Sequence, residues 1–163
     1  MAVTVIGIDP GSQRTGWGIV REHSGVLEHI ASGIIRTTST ERIFSRRLAV
    51  IYTELALVLR QYEPEEGAIE DVFVSQNAKT ALKLGQARGV CVACLAAHNI
   101  AVYDYAPTLM KQTLVGTGRA EKEQVAFMVQ TFLGVQKAVW PLDTTDALGI
   151  AICHVSLRKS QLL

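Results

Sequence analysis

The stretch VTVIGIDPGSQRTGWGIV, residues 3–20, decides the fold because it reads as two strands joined by a tight turn. The run from Val3 to Ile8 is almost wholly apolar, which is typical of a buried strand, and it ends on the carboxylate of Asp9. Pro10 and Gly11 then mark the turn. A charge where a buried strand ends is costly unless it is paired or coordinated, so Asp9 is the first candidate site residue. The alternative is that its side chain only caps the turn.

The composition indicates one folded domain over residues 1–163, whose last few residues are candidates for disorder. The chain is 48% hydrophobic and 19% charged, which is enough apolar material for a full core. Its formal net charge of +1 means that nucleic-acid binding would rest on local basic clusters. We find no signal-peptide pattern and no apolar run of membrane-spanning length, and the three cysteines do not suggest a disulfide framework. We therefore expect a cytoplasmic protein.

Strand and helix signals alternate along the rest of the chain. Three sequential strands are predicted at 3–9, 16–22 and 26–36, and two more at 67–74 and 100–107. Helices are predicted at 41–62, 77–98, 107–115, 120–133 and 143–157, the first behind a Thr38-x-x-Glu41 capping-box spacing. This order predicts an α/β fold: a mixed five-stranded sheet with helices packed on both faces.

Three further acids occupy positions where charge is unexpected. Glu70 lies in a predicted central strand, beside Ile69 and with no basic partner next to it in sequence. Asp143 and Asp146 are three residues apart at the start of a helix, so both project from its first turn. The alternative for this pair is an N-cap at Asp143 with Asp146 at the third helical position.

If the four acids converge, they repel one another by a few kcal/mol per pair at an effective dielectric of about 20. A divalent cation relieves that repulsion, and ligands that are all oxygen select hard ions, Mg²⁺ above all. Two such ions about 4 Å apart can clamp the attacking and leaving oxygens of a phosphodiester displacement. The acids therefore suggest a metal-dependent phosphoryl-transfer site.

Four segments along the chain closely resemble the signature segments of the RuvC Holliday junction resolvases. They are IGIDPGSQRTGWGIV, AIEDVFVSQNAKTALKLGQARG, KQTLVGTGRAEKEQV and DTTDALGIAICH, and the match is poorest over residues 21–66. The resemblance implies a ribonuclease-H-like fold and a homodimer that works with the branch-migration proteins RuvA and RuvB. It implies symmetric nicks in two strands of like polarity at a four-way DNA junction, with Mg²⁺ or Mn²⁺, leaving ligatable 5'-phosphate and 3'-hydroxyl ends.

The resemblance also assigns roles to the acids. Asp9, Asp143 and Asp146 are implied as catalytic metal ligands, and Glu70 as a ligand of one of two ions that also helps to activate the attacking water. Asp71 should point to the opposite face of the strand and is not expected to be a ligand.

Several residues are candidates for DNA contact. Phe73 is either a core aromatic at a strand end or, as the resemblance implies, a residue that stacks on a base near the crossover. Lys79 and Lys83 share a polar helix face that could meet phosphates or simply be solvated. Lys111 and Lys122 match family lysines near the active site, and two glycines between them could let backbone approach a phosphate. These glycines are Gly116 and Gly118.

The second predicted helix carries a small residue at every fourth position and is apolar all round beyond Gly89. The stripe runs through Ala81, Gly85, Gly89, Ala93 and Ala97. We expect it to form a two-fold dimer interface, the alternative being that another helix of the same chain covers it. Cys91 and Cys94 on this helix spell CxxC but lack the further ligands of a zinc site, so core packing is favoured.

Three other functions compete with junction cleavage. GIDPGSQRTG also resembles the first phosphate loop of actin-like ATPases, but those need two such domains, and this chain has the length of one. The resolvase-like YqgF group shares the opening segment, whereas GVCVACLAAH and GTGRAEK are more similar to RuvC. A junction-binding module that cannot cut is the third, and four intact acids argue against it.

Overall fold

The computed structural model describes residues 1–37, 41–72 and 76–161, and it has the mixed five-stranded sheet that the sequence predicts. The strands are β1 (Val3–Asp9), β2 (Arg14–His23), β3 (Val26–Arg36), β4 (Glu66–Glu70) and β5 (Ala101–Tyr105). The helices are α1 (Phe44–Tyr62), α2 (Ala78–Ala97), α3 (Pro107–Val115), α4 (Lys122–Leu133) and α5 (Leu142–Gln161). Among these residues, no helix combines the length and the apolarity needed to cross a membrane.

The strand order is β3-β2-β1-β4-β5, which puts β1 and β4 at the centre. β1 pairs antiparallel with β2 and parallel with β4, and β4 pairs parallel with β5. Ile8 is opposite Ile69 in the β1–β4 register, so Asp9 and Glu70 are the next residues on neighbouring strands. Because parallel strands end at the same edge of a sheet, both acids lie at one edge.

Alternate residues of β1 face two separate cores, one on each side of the sheet. Val3 and Val5 pack into the core beneath α3, α4 and α5, while Ile6 and Ile8 pack beneath α1 and α2. The prediction of helices on both faces is therefore confirmed. Cys91 and Cys94 are buried in the second of these cores and Cys153 in the first, all as free thiols, which confirms the packing role expected for the CxxC pair.

Several predicted boundaries are wrong by two to four residues: β2 begins at Arg14 rather than at residue 16, β5 ends at Tyr105 rather than at residue 107, and α5 ends at Gln161 rather than at residue 157. Two further cases have a visible local reason. The first helix begins at Phe44 rather than at residue 41, and its N-cap, Ile43, has no side-chain cap; Thr38 of the expected capping box lies outside the described residues. The fourth strand ends at Glu70 rather than at residue 74. The Asp71 side chain accepts a hydrogen bond from the Val72 N–H at 2.9 Å, so the chain turns out of the sheet at that point. A capping box does occur, between Glu121 and Gln124 at the start of α4.

The backbone of α5 lies directly on the sheet, because glycines occupy the positions beneath it. A Cβ at Gly7 of β1 would stand 2.0 Å from the carbonyl oxygen of Ala147. A Cβ at Gly16 of β2 would stand 2.1 Å from the carbonyl oxygen of Asp143. Any side chain at either position would push the helix, and the acids near its start, away from the strands.

We expect Gly7→Ala to lower the free energy of unfolding by about 3 kcal/mol or more, because the added methyl group meets helix backbone rather than a flexible side chain. Chemical denaturation monitored by circular dichroism would measure this. Gly118→Ala is the matched control, since its Cβ would be 3.4 Å from the nearest atom, an ordinary contact. Equal stability of the two variants would contradict the tight packing of α5 on β1.

Candidate active site

Asp9 and Glu70 form the centre of the candidate site. Glu70 follows Ala68 by two residues, and Ala68 packs in the core beneath α5, so Glu70 faces the same side of the sheet as Asp9. The neighbouring Glu70 raises the pKa of Asp9, and both residues are partly buried. Carboxyl groups that lie close together disfavour each other's charged form, and a cation would relieve that repulsion.

Asp143 lies in the first turn of α5, at the helix start that is above this pair, whereas Asp146, the fifth residue of the helix, lies beyond the first turn that the sequence predicted for both. The helix begins at Leu142, so Asp143 lies inside the first turn and not at the N-cap that the alternative interpretation required. The hydroxyl of Thr144 donates to the carbonyl oxygen of Gly33 at 3.3 Å and ties this turn to β3. Both aspartates are partly buried.

The electrostatics indicate that the four acids form one cluster. Burial, the neighbouring Glu70 and the charges of Asp146 and Asp143 together raise the pKa of Asp9 to about 9, with burial the largest cause. Burial and the charge of Glu70 raise the pKa of Asp146 to about 6, although nearby lysines partly oppose the shift. Side chains that are far apart in sequence therefore share one electrostatic environment.

The turn after Asp9 is held rigidly. The Thr15 hydroxyl donates to the Gly11 carbonyl at 2.9 Å and accepts from the Gly11 N–H at 3.3 Å. The Ser12 carbonyl accepts from the Thr37 hydroxyl at 2.7 Å and from the Arg47 guanidinium at 2.6 Å. This side of the acid cluster is therefore pre-organised.

Two of the predicted DNA-contacting lysines lie beside the acids. The charges of Lys122 and Lys111 both lower the pKa of Asp146, which places them near it. Lys122 and Asp143 also line a cleft of about 470 Å³ that continues past the β1–β2 turn. Arg14 lines the same cleft and was not among the residues that the sequence predicts to contact DNA. Its position as a basic residue just after the turn that follows Asp9 could have indicated it.

The structure leaves the roles of the other predicted contact residues untested. Phe73 lies outside the described residues, so its stacking role stays a prediction. Lys79 and Lys83 are exposed on α2, where the ammonium group of Lys83 stands 5.5 Å from the ring centre of Phe44. Gly116 is the C-cap of α3 and has a φ of 93°, a backbone conformation that favours glycine. The end of the helix therefore explains why a glycine occupies this position.

A Cβ added at Gly118 would lie 3.4 Å from the carbonyl oxygen of Thr108, which is an ordinary contact, so this position has room for a side chain. The DNA-binding roles predicted for Gly116 and Gly118 are therefore neither required nor opposed by their packing. They stay predictions.

The donor set of the cluster fits a hard divalent cation, because all of its ligating atoms are carboxylate oxygens. Across residues 1–37, 41–72 and 76–161, no three Asp, Glu, His or Cys side chains already stand where one ion would touch them all. Burial and the neighbouring Glu70 instead raise the pKa of Asp9. Metal binding at Asp9 would therefore compete with its protonation.

The small-residue stripe of α2 faces away from the rest of the chain. Gly85, Gly89, Ala93 and Ala97 are all exposed, and a Cβ added at either glycine would have no atom within 4 Å. The alternative that another helix of the chain covers this stripe is therefore wrong for the described residues. Ala81, at the start of the stripe, is half-buried.

Sequence reasoning missed two groups of polar side chains. Arg88 of α2 donates to the backbone carbonyl of Glu70 at 3.2 Å, across 18 positions of sequence. The buried His154 of α5 bonds through one ring nitrogen to the hydroxyl of Tyr105 and through the other to Glu66, both at 2.6 Å. Arg158 completes this network by donating to both carboxylate oxygens of Glu66 at 2.9 Å.

The network determines the ionisation of Glu66. Burial alone would raise the pKa of its carboxyl group, but hydrogen bonds from Arg158 and His154 lower it below the ordinary value. No local sequence pattern signals this set, because its members lie on β4, β5 and α5.

A mixed sheet of this order, with carboxylates grouped at the ends of its first and fourth strands and at the start of its last helix, defines a ribonuclease-H-like protein. The chain belongs to the RuvC family, because the family model for Crossover junction endodeoxyribonuclease RuvC matches residues 5–154.

Individual relatives agree with this assignment. The crossover junction endodeoxyribonuclease RuvC of Nitratidesulfovibrio vulgaris (strain DP4) is 58% identical over 158 residues, covering 97% of this chain and 93% of that protein. That of Lawsonia intracellularis is 52% identical over 157 residues, covering 96% and 92%. The structure of T. thermophilus RuvC in complex with Holliday junction substrate has a TM-score of 0.90 and 32% identity, covering 98% of this chain and 96% of that one.

We expect Asp9→Asn to stabilise the metal-free protein increasingly as the pH rises. The pKa of Asp9 is raised from 3.8 to about 9 on folding, so the folded state keeps a proton that the unfolded state loses between these values. The free energy of unfolding of the wild type therefore falls as pH rises through this range. The amide of Asp9→Asn does not titrate, so the variant lacks this contribution to the pH dependence. At about pH 9 the variant should melt about 4 °C or more above the wild type, equivalent to about 1 kcal/mol or more.

Melting curves in EDTA would measure this difference across the pH range. Added Mg²⁺ should raise the melting temperature of the wild type more than that of Asp9→Asn, because only the folded site would bind the ion. Parallel pH profiles for the two proteins would contradict the buried, coupled carboxyl pair.

Proposed function

We propose that this chain is an endonuclease that resolves four-way DNA junctions by hydrolysing one phosphodiester bond in each of two strands of like polarity. Membership of the RuvC family and the likeness to T. thermophilus RuvC, which was solved with a Holliday junction substrate, support the substrate class. The observation that carries the proposal is that Asp9 and Glu70 end neighbouring strands beneath the start of α5, where Glu70, Asp146 and Asp143 all raise the pKa of Asp9.

The four acids would hold the cation in this proposal. Mg²⁺, with Mn²⁺ as a substitute and two ions per site, would supply Lewis-acid stabilisation of the attacking and leaving oxygens. Asp9, Asp143 and Asp146 are proposed ligands, and Glu70 is the proposed fourth ligand, which binds one of the two ions. Glu70, beside Asp9 at the end of β4, also orients and helps to deprotonate the attacking water.

Basic residues near the cluster would hold the DNA strand. Lys111 and Lys122 lie close enough to Asp146 to influence its pKa, so they can bind the phosphates around the scissile bond and offset charge in the transition state. The products would carry 5'-phosphate and 3'-hydroxyl ends. Phe73 would stack on a base at the crossover, and four surface residues would contact the backbone farther out. These residues are Lys79, Lys83, Gly116 and Gly118.

A homodimer fits this substrate, because a four-way junction and a pair of symmetric nicks both have two-fold symmetry. The exposed stripe of Gly85, Gly89, Ala93 and Ala97 would let the α2 helices of two copies approach closely. We also propose that the dimer works with the branch-migration proteins RuvA and RuvB, in the cytoplasm that holds the DNA of the bacterial relatives.

Replacing Asp9 or Asp143 by Asn, or Glu70 by Gln, should reduce junction cleavage to background while junction binding survives. Each change removes a proposed ligand charge but keeps the size of the side chain. A labelled synthetic four-way junction, incubated with and without Mg²⁺ beside a linear duplex of the same sequence, would measure cleavage, and gel shifts in EDTA would measure binding.

Asp71→Asn is the control for these variants, since Asp71 is adjacent to Glu70 but exposed, and it should cut normally. Cleavage by the Asp9, Glu70 or Asp143 variants would refute the site assignment. Equal cutting of the duplex and the junction would refute the substrate assignment.

The wild type should be a dimer at micromolar concentration, and Gly89→Leu should be a monomer because a bulky side chain separates the two α2 helices. Size-exclusion chromatography with light scattering would measure both. Thr131→Leu, an exposed change on α4 across the sheet, is the control and should remain dimeric. A monomeric wild type, or a dimeric Gly89→Leu, would contradict this interface.

A further inference from the structure

We propose that Arg88 is a positioning residue for Glu70: it fixes the end of β4 so that the Glu70 carboxylate points into the acid cluster. The inference rests on the proposed function, because it concerns the rate at which that site cleaves DNA. It adds a residue that touches neither the cation nor the substrate in this arrangement and acts through the backbone of Glu70.

Within the part of the chain that the structure describes, the guanidinium group of Arg88 has three partners at the end of the sheet. Its Nε donates to the backbone carbonyl of Glu70 at 3.2 Å. One terminal nitrogen bonds to the carboxylate of Asp104 on β5 and lies 3.8 Å from that of Asp71. The Arg88 side chain is only 20% exposed, so this contact is largely shielded from water.

The carbonyl that Arg88 contacts lies where regular strand pairing stops. Glu70 is the last residue of β4 and is opposite Tyr105, the last residue of β5. The next residue, Asp71, still donates its N–H to the Tyr105 carbonyl at 2.8 Å. The N–H of Val72 no longer pairs with β5 and donates instead to the Asp71 side chain. The Glu70 carbonyl and the Asp71 N–H belong to one peptide plane, so Arg88 holds the carbonyl side of a plane whose N–H side is bonded to β5. The two hydrogen bonds together fix the orientation of the backbone that carries the Glu70 side chain.

The ion pairs of Arg88 do not explain why it is buried. The side chains of Asp71 and Asp104 are 58% and 59% exposed, and ion pairs with such exposed groups contribute about 0–1 kcal/mol. The Glu70 carbonyl is the partner with consequences for the site. The planar guanidinium group of arginine can bond to the Glu70 carbonyl and to Asp104 at the same time. The ammonium group of lysine is a compact point charge and cannot span both partners.

The opposite end of β4 offers a matched comparison. Arg158 of α5 binds the carboxylate of Glu66, the first residue of the same strand, and it is 35% exposed. Each end of β4 is therefore tied to a helix by one arginine, but only Arg88 contacts a proposed catalytic residue. A purely structural role predicts similar behaviour of the two arginines, and a positioning role predicts different behaviour.

The test compares Arg88→Met with Arg158→Met, since methionine keeps an aliphatic stem without any donor. At saturating protein, Arg88→Met should cleave a synthetic four-way junction about 10- to 100-fold more slowly in Mg²⁺, the loss expected when a reacting group is misplaced by about 1 Å. The junction Kd should stay within about twofold, which separates an effect on catalysis from one on binding. Mn²⁺ affinity measured by calorimetry without DNA should weaken, whereas Arg158→Met should keep both the wild-type cleavage rate and the wild-type Mn²⁺ affinity.

Arg88→Lys provides a second variant that keeps the positive charge. One ammonium cannot hold both the Glu70 carbonyl and Asp104, so we expect a smaller loss of about 3- to 10-fold. If Arg88→Met does not fold, Arg88→Lys decides the question by the same measurements.

The inference is overturned if the Arg88 variants cleave at the wild-type rate, or if Arg158→Met loses as much activity and Mn²⁺ affinity as Arg88→Met. Failure of the proposed function looks different. In that case the wild type does not cut the junction, or Asp9→Asn still cuts it.

Discussion

The direct contact of the α5 backbone with the central strands is the constraint on which the rest of this structure depends. Gly7 and Gly16 have no side chain to stand between helix and sheet, so the carbonyls of Ala147 and Asp143 come closer to the strands than a Cβ at either position would permit. The first turn of α5 is thereby brought over the edge where β1 and β4 end. Two glycines on the strands thus determine where the acids of a distant helix lie.

Like charges concentrated in this way oppose folding. The raised pKa values of Asp9 and Asp146 show that burial and neighbouring carboxylates disfavour their charged forms. Such an arrangement persists only because the surrounding structure is rigid: the turn after Asp9 is held by Thr15 and Arg47, and two cores pack the sheet from both sides. Conflict between local charge and overall stability is common where a protein prepares a site for a ligand of opposite charge.

Much of this fold could be predicted from local patterns. The bounds of β1 and β3 agree with the sequence, because apolar runs and clear turns mark both. Asp9 and Glu70 could be recognised as site candidates since a charge that ends or interrupts a buried strand violates the apolar pattern there. That the two acids lie side by side follows from the parallel pairing of their strands, which the alternation of strands and helices already suggests.

The polar contacts that support the site could not be predicted in this way. Arg88 resembles any other basic residue of an amphipathic helix, and only the fold brings it to the Glu70 carbonyl. His154 lies 88 positions from Glu66, and nothing near either residue indicates that they form a buried hydrogen bond. Sequence patterns report whether a residue is buried, whereas the identity of a polar partner depends on how distant elements pack.

The burial of the cysteines has a practical consequence for studies of this chain in solution. Burial raises the pKa of the Cys91 thiol to about 12 and that of Cys94 to about 11, and it also raises the pKa of Cys153. Alkylating reagents react with thiolates, so the native sulfurs are shielded by both packing and protonation. A single cysteine introduced on the surface would therefore take up a maleimide dye or spin label selectively, in a chain that keeps all of its native cysteines.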